Sequence, residues 1–181
     1  ATSLANCVRL LRSAVTISPQ ELQSYAELRT AIEVQAARQA AERATDDDIA
    51  ELTALLRKLD DDGLSHAESL ELDFQFHRKL LEVAGNPLMQ NLMEVIYEFV
   101  LTQMARTTPS PRENQLGRRL HKAILRAIRE HDPEAAAVVR LRFYAGLSVD
   151  EAARALGTSP RTAARLWTYA RALLYRSLSG H

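Results

Sequence analysis

The stretch Ser65-His66-Ala67-Glu68-Ser69-Leu70-Glu71-Leu72-Asp73-Phe74-Gln75-Phe76-His77-Arg78-Lys79-Leu80-Leu81-Glu82-Val83-Ala84-Gly85-Asn86-Pro87 holds a helix, its stop and the start of the next helix. Leu70, Phe74, His77, Leu80 and Leu81 recur at helical spacing and share one face. Ser65 opens the helix, and Gly85 supplies a residue free to turn left-handed at its end. Asn86 then serves as N-cap and Pro87 as a first-turn residue, where a missing amide costs nothing. A chain that stops and restarts in so few residues turns a sharp corner, and the apolar face needs partner helices. This predicts an antiparallel helical bundle.

The same signals extend outward. Upstream, Ser18-Pro19-Gln20-Glu21 places a cap hydroxyl, a first-turn proline and a glutamate that reaches back, opening a long helix to about Ala44. Thr45 with Asp46, Asp47 and Asp48 caps the next, which ends in Asp60-Asp61-Asp62-Gly63. Downstream, the helix from Pro87 runs to about Arg106, and Thr107-Thr108-Pro109-Ser110-Pro111 is expected as a loop. A helix over 112–131 carries Leu116, Leu120, Ile124 and Ile128 on one face, and Asp132-Pro133 restarts the chain. No internal repeat or low-complexity tract interrupts this order.

Composition agrees. Of 181 residues 28 are Ala and 27 Leu, against 9 Val, 6 Ile, 6 Gly and 6 Pro, so good helix formers dominate and an all-α fold is expected. The single cysteine, Cys7, cannot form an internal disulfide, and its apolar neighbours Val8, Leu10 and Leu11 suit a buried thiol. No run approaches the roughly 20 apolar residues of a membrane helix, and no signal-peptide pattern opens the chain. A reducing, cytoplasmic setting without membrane contact is expected; the lack of an initial Met suits a processed or excised fragment. His66, His131 and His181, at helix ends or the terminus, read as solvated.

The formal charge is zero, 23 basic against 23 acidic residues, but it is unevenly placed. Residues 133–181 carry seven Arg and no Lys against Glu134, Asp150 and Glu151, a net of +4, which leaves −4 for residues 1–132. The expected division is therefore an effector- or metal-binding bundle over 1–132 and a small helix-turn-helix over 133–181. In the latter, Gly146 and Gly157 punctuate the helices, Ser148 and Glu151 form a capping box, and Ser159-Pro160 caps the last helix. Ala152, Ala153 and Leu156 face Ala163, Trp167, Ala170 and Leu174, which leaves Arg161, Thr162 and Arg165 pointing outward. Such a helix suits a DNA major groove, where Arg reaches guanine edges or phosphates. The pattern alone also permits a helical hairpin with a solvated Arg face.

In the acidic part, Asp73 and His77 stand four apart and project from one helix face, and His121 lies beside the apolar face of a later helix. A carboxylate and two imidazoles suit a divalent metal. Spacing alone favours an Asp73–His77 ion pair and an unrelated buried histidine. A metal hydrolase is disfavoured, because no general base accompanies the three and Glu71 points to another face. No enzyme activity is expected.

Val138 to Trp167, with Leu147-Ser148-Val149-Asp150-Glu151-Ala152-Ala153-Arg154-Ala155-Leu156-Gly157 at its centre and Tyr169-Ala170-Arg171-Ala172-Leu173-Leu174 beyond, closely resembles region 4 of extracytoplasmic-function sigma factors. The resemblance implies a promoter-reading helix-turn-helix that contacts RNA polymerase. Ser159, Arg161, Thr162 and Arg165 would face DNA, and Leu147, Ala153, Leu156, Ala163 and Trp167 would form the core. Nothing upstream resembles sigma region 2, so a complete sigma factor is not expected.

A second resemblance covers about residues 4–137. Leu28-Arg29, Ile32-Glu33, Ala36-Ala37, Ala40-Ala41-Glu42-Arg43-Ala44-Thr45, Asp73-Phe74-Gln75-Phe76-His77, Ala84-Gly85-Asn86-Pro87-Leu88 and His121-Lys122-Ala123-Ile124-Leu125-Arg126-Ala127-Ile128 resemble the effector (FCD-type) domain of FadR-branch GntR regulators, in order. That implies an all-α, homodimeric module for a small carboxylate-bearing effector, with zinc or nickel held by an Asp and three His. Asp73, His77 and His121 match the first three ligands, and Arg29 matches an arginine that faces the effector. The fourth place, 22 residues beyond His121, is Phe143, so water or effector would complete a weaker site. The family's winged helix is unmatched here, so either the sigma-like module replaces it or the chain is a fusion. The helix from Pro133 then serves both modules, or the bundle lacks its closing helix. The leading expectation is a DNA-binding transcription regulator with a sensing bundle; the alternative is a metal- or effector-binding dimerisation module without DNA binding.

Overall fold

Alanine is abundant because helices of this chain approach one another closely. In the computed structural model, which describes residues 19–104, 111–144, 148–165 and 167–168, the long helix α1 (Pro19–Arg43) presents Ala37, Ala40 and Ala41 to the same buried cluster as Ala135 and Ala136. Those two belong to α6 (Pro133–Tyr144), which lies along α1. Side chains this small add little bulk between the axes, so burial comes from backbone proximity.

Between them run α2 (Asp46–Leu59), α3 (His66–Ala84), α4 (Pro87–Met104) and α5 (Pro111–Arg129). Helix α1 packs on α3, α4, α5 and α6, and α3 also packs on α2 and α4. The described residues contain no strand, as the all-α expectation requires. None of their helices is long and apolar enough to cross a membrane.

The core has two parts. Leu52, Leu56, Phe76, Leu80, Ile124 and Ile128 belong to the larger, and Ile32, Phe74, Met93, Ile96 and Tyr97 to the smaller. Helix α3 serves both, because Phe74 and Phe76 leave it in different directions. His77 follows directly on Phe76, between the two clusters.

Most helix ends are set by their caps. Thr45 with Asp48, and Ser65 with Glu68, form reciprocal capping boxes, each contributing about 1 kcal/mol. Asn86 Oδ1 accepts from the amides of Leu88 and Met89 to start α4. Gly85 is left-handed at φ 69° and ends α3, while Arg43 Nη1 donates to the Ala84 carbonyl beside it.

Two ends differ from expectation. Pro111 is the first residue of α5 rather than the end of a loop, since a proline at that position lacks only an amide that would have no helical partner. Helix α5 ends at Arg129, and His131 takes the left-handed place at φ 51°. His131 is exposed but more than solvated: its Nδ1 lies 2.8 Å from the Ala41 carbonyl of α1, and this tethers the corner before α6.

After α6 comes α7 (Val149–Leu156), with the Ser148–Glu151 capping box and left-handed Gly157. Residues 160–165 and 167–168 are helical, with Ser159 Oγ accepting the Thr162 amide. Ala152, Ala153 and Ala163 are buried, and Leu156 and Trp167 pack against the larger bundle core. Helix α6 touches α1, α5 and α7, so it closes the bundle and carries the C-terminal helices. The expected Ser18 cap, Cys7, the loop over 107–110, Gly146, Leu147, Ala170, Leu174 and His181 lie outside the described residues.

Candidate metal and effector site

Helices α3 and α5 bring Asp73, His77 and His121 together. One donor atom from each lies within 4.8 Å of the other two. His121 Nε2 is 3.2 Å from Asp73 Oδ1 and 3.2 Å from His77 Nε2, and His77 Nε2 is 3.7 Å from Asp73 Oδ2. Metal bonds of about 2.0–2.1 Å at tetrahedral angles separate neighbouring ligands by about 3.3 Å. The two imidazole nitrogens thus stand near the spacing that a divalent ion requires, and the Asp73 carboxylate reaches each of them through a different oxygen.

Both imidazoles are buried, whereas Asp73 keeps 25% of its side-chain surface exposed and opens the cluster to solvent on one side. Phe76 lies against both rings, with centroids 5.7 Å from His77 and 4.8 Å from His121. Burial pushes both histidines below their usual pKa range, against the pull of the Asp73 carboxylate. They are therefore neutral at pH 7, the form in which an imidazole binds metal.

Arg29 lies one element away, on α1. Its Nε donates to Glu33 Oε1 at 3.0 Å, and its guanidinium stands 5.8 Å from the Tyr97 ring centre. Tyr97 donates its hydroxyl to the same Glu33 oxygen at 3.4 Å, and burial pushes its phenol pKa up. Glu33 Oε1 is in turn 3.6 Å from His77 Nδ1. Arg29, Glu33, His77 and the Asp73–His121 pair thus form one connected polar array inside apolar walls.

Glu33 and Tyr97 had no place in the expected site. The available signal was a carboxylate one turn from Arg29 on the face bearing Ile32 and Ala36, where burial demands a partner. Phe143, in the fourth-ligand place of the resembled family, lies on α6.

Of the residues expected to meet DNA, Ser159, Arg161 and Arg165 are exposed. Thr162 is half-buried, and its hydroxyl is 2.9 Å from Ser159 Oγ. Ser159 and Thr162 therefore secure the helix start, while the two arginines stand free of that role.

The fold and site define an all-α bundle with an Asp/His/His cluster whose imidazoles are buried, continued by a helix-turn-helix. The FCD domain family matches residues 24–142, and the chain belongs to that family. Sigma-70 region 4 matches residues 121–178. The two matches overlap over 121–142, a span that includes most of α6.

Among similar proteins, the HTH-type transcriptional repressor NanR of Salmonella schwarzengrund is 34% identical over 126 residues, covering 65% of this chain and 46% of that protein. NanR of Salmonella typhimurium is 33% identical over the same length. The chain spans about half the length of the curated relatives it matches. The solved Streptococcus agalactiae GntR superposes with a TM-score of 0.60 at 28% identity, covering 74% of this chain and 60% of that one.

Proposed function

We propose that the protein is a transcription regulator rather than an enzyme, with the bundle sensing a small carboxylate-bearing effector through a divalent metal and the C-terminal helices meeting DNA. The observation that carries this reading is the convergence of Asp73, His77 and His121, from two helices, at metal-ligand spacing. Zinc or nickel suits two imidazoles and one carboxylate. When bound, the ion would offer a positive, Lewis-acidic centre to an effector carboxylate. Arg29 is the residue assigned to the effector's other end. The open side at Asp73 leaves room for water or effector to complete the ligand shell in place of the histidine that Phe143 replaces.

At the other end, Arg161 and Arg165 would contact DNA, with Ser159 and Thr162 at the start of the same helix. Region 4 of sigma factors also meets RNA polymerase, which makes polymerase a second candidate partner. A homodimer follows the habit of the family and would read two half-sites. In this reading α6 belongs to both modules: effector binding shifts DNA binding if two arrangements of the bundle differ in effector affinity and hold α6 differently.

Packing of Leu156 and Trp167 on the bundle core favours one other reading, in which the last helices complete a receptor module that has no DNA activity. Salt-sensitive binding to duplex DNA separates the two. For the site itself, zinc titration of metal-stripped protein is expected to give one ion per chain, with loss of at least about tenfold in affinity in Asp73→Ala and His121→Ala. Undiminished binding in both variants would place the ligands elsewhere.

A further inference from the structure

Glu33 stands between the arginine assigned to the effector and the histidine pair. Its Oε1 meets Arg29 Nε at 3.0 Å, the Tyr97 hydroxyl at 3.4 Å and His77 Nδ1 at 3.6 Å. Its side chain is only 4% exposed, so bulk water does not compete for these places. The two nitrogens of His77 therefore face different groups. Nδ1 looks toward Glu33, while Nε2 looks toward His121 Nε2 and Asp73.

A neutral imidazole carries one proton, and its neighbours decide where. Asp73 is closer to His121 Nε2, at 3.2 Å, than to His77 Nε2, at 3.7 Å, so in the metal-free chain His121 is the better donor to it, and a bound metal would displace that proton to His121 Nδ1. Glu33 then offers the carboxylate for the His77 proton. With the proton on Nδ1, the Nε2 lone pair of His77 points into the cluster. A metal ligand needs that tautomer, and a carboxylate behind the ring fixes its orientation and raises its basicity.

We propose that Glu33 is the positioning residue of this centre: its carboxylate, 3.6 Å from His77 Nδ1 and so beyond hydrogen-bond length, draws the ring proton to that nitrogen electrostatically, so that Nε2 is presented to a divalent metal, and it shares the same oxygen with Arg29. The proposal rests on the metal reading given above. It carries more weight in this chain than in one with four protein ligands, because a misdirected His77 removes one of three donors. The shared oxygen also gives the two ends of the site a physical link. An effector carboxylate that draws Arg29 away leaves more of the Glu33 charge to His77, so effector and metal tighten one another's binding.

The test uses the full chain as wild type, Glu33→Gln and Glu33→Ala, with folding checked by circular dichroism. Long-range 1H–15N NMR of the metal-free proteins reads the tautomer of His77, and competition with a chromogenic chelator reads zinc affinity. The expected result is Nδ1–H in the wild type, a shift toward Nε2–H in Glu33→Ala, and a fall in zinc affinity of about 10–100-fold in that variant. Glu33→Gln, whose amide oxygen still accepts, recovers part of the loss. If Glu33→Ala does not fold, Glu33→Asp, with its carboxylate withdrawn by one methylene, takes its place with the same expected sign. The proposal is overturned if wild-type His77 is protonated at Nε2, if the tautomer is the same with and without Glu33, or if Glu33→Ala binds zinc as tightly as wild type. Absence of zinc binding by the wild type would defeat the metal reading alone, since the tautomer still decides the role of Glu33.

Discussion

At His77 and His121 two imidazoles are buried 3.2 Å apart, and their neutrality has a cost that depends on pH. Burial lowers both pKa values in the folded chain, whereas the unfolded chain titrates near the ordinary value of about 6.5. Below that value the unfolded state binds more protons, so the histidines are neutral in both states above it and oppose folding increasingly as pH falls below it. The melting temperature of metal-free protein should be nearly flat above pH 7 and drop progressively below about 6.5. In His77→Gln that drop should be shallower. Thermal melts from pH 8 to pH 5 check both, and equal slopes would remove His77 from the account. Asp73, His77 and His121 were legible in the sequence because the family order pointed to them, where helical spacing placed only Asp73 and His77 on one face. Glu33 was not, because its place on the face of Ile32 and Ala36 signals burial without naming the partners. Only the arrival of Tyr97 from α4 and His77 from α3 encloses it.

Helices were the most legible objects, and their caps explain why. Ser148 with Glu151, Gly85 and Gly157 take the places read from their chemistry. The misread proline, Pro111, shows the limit of such signals: the same residue ends a loop or begins a helix, and the residues that follow decide. His131 shows another limit. It occupies a left-handed place that glycine usually fills, and its bond to Ala41 comes from a helix 90 positions away. Local sequence does not contain that partner. Gly157, at φ 63°, would place an added Cβ in open space, so the penalty of Gly157→Ala is backbone strain alone. A cost of about 1–2 kcal/mol is expected. Gly85→Ala should cost a similar amount, because its Cβ would come no nearer than 3.4 Å to the end of the Arg43 side chain. Urea unfolding of both variants measures this; a cost several times larger at Gly157 would mean that more than strain is lost there.

Across the whole molecule, the neutral charge total conceals an acidic bundle and a basic end, and the two family matches overlap on α5 and α6. From its pattern alone the chain leaves open whether the bundle keeps a closing helix. In the structure α6 lies along α1 with Ala135, Ala136 and Val139 in the bundle core, and Arg38 bridges to Glu134 at 2.6 Å. Pattern could not decide this, because an alanine-rich helix gives little amphipathic signal and its partner is far away in sequence. Among the described residues α6 packs on both the bundle and α7, and on it rests the central claim that a sensing bundle governs a DNA reader. Binding of the full chain to duplex DNA, followed by fluorescence anisotropy across a salt series, tests that claim most directly. The account predicts affinity that falls steeply with salt, and a loss of at least about tenfold when Arg161→Ala and Arg165→Ala are combined, with the helical circular dichroism unchanged. No binding at low salt, or binding that the double variant leaves intact, would contradict it.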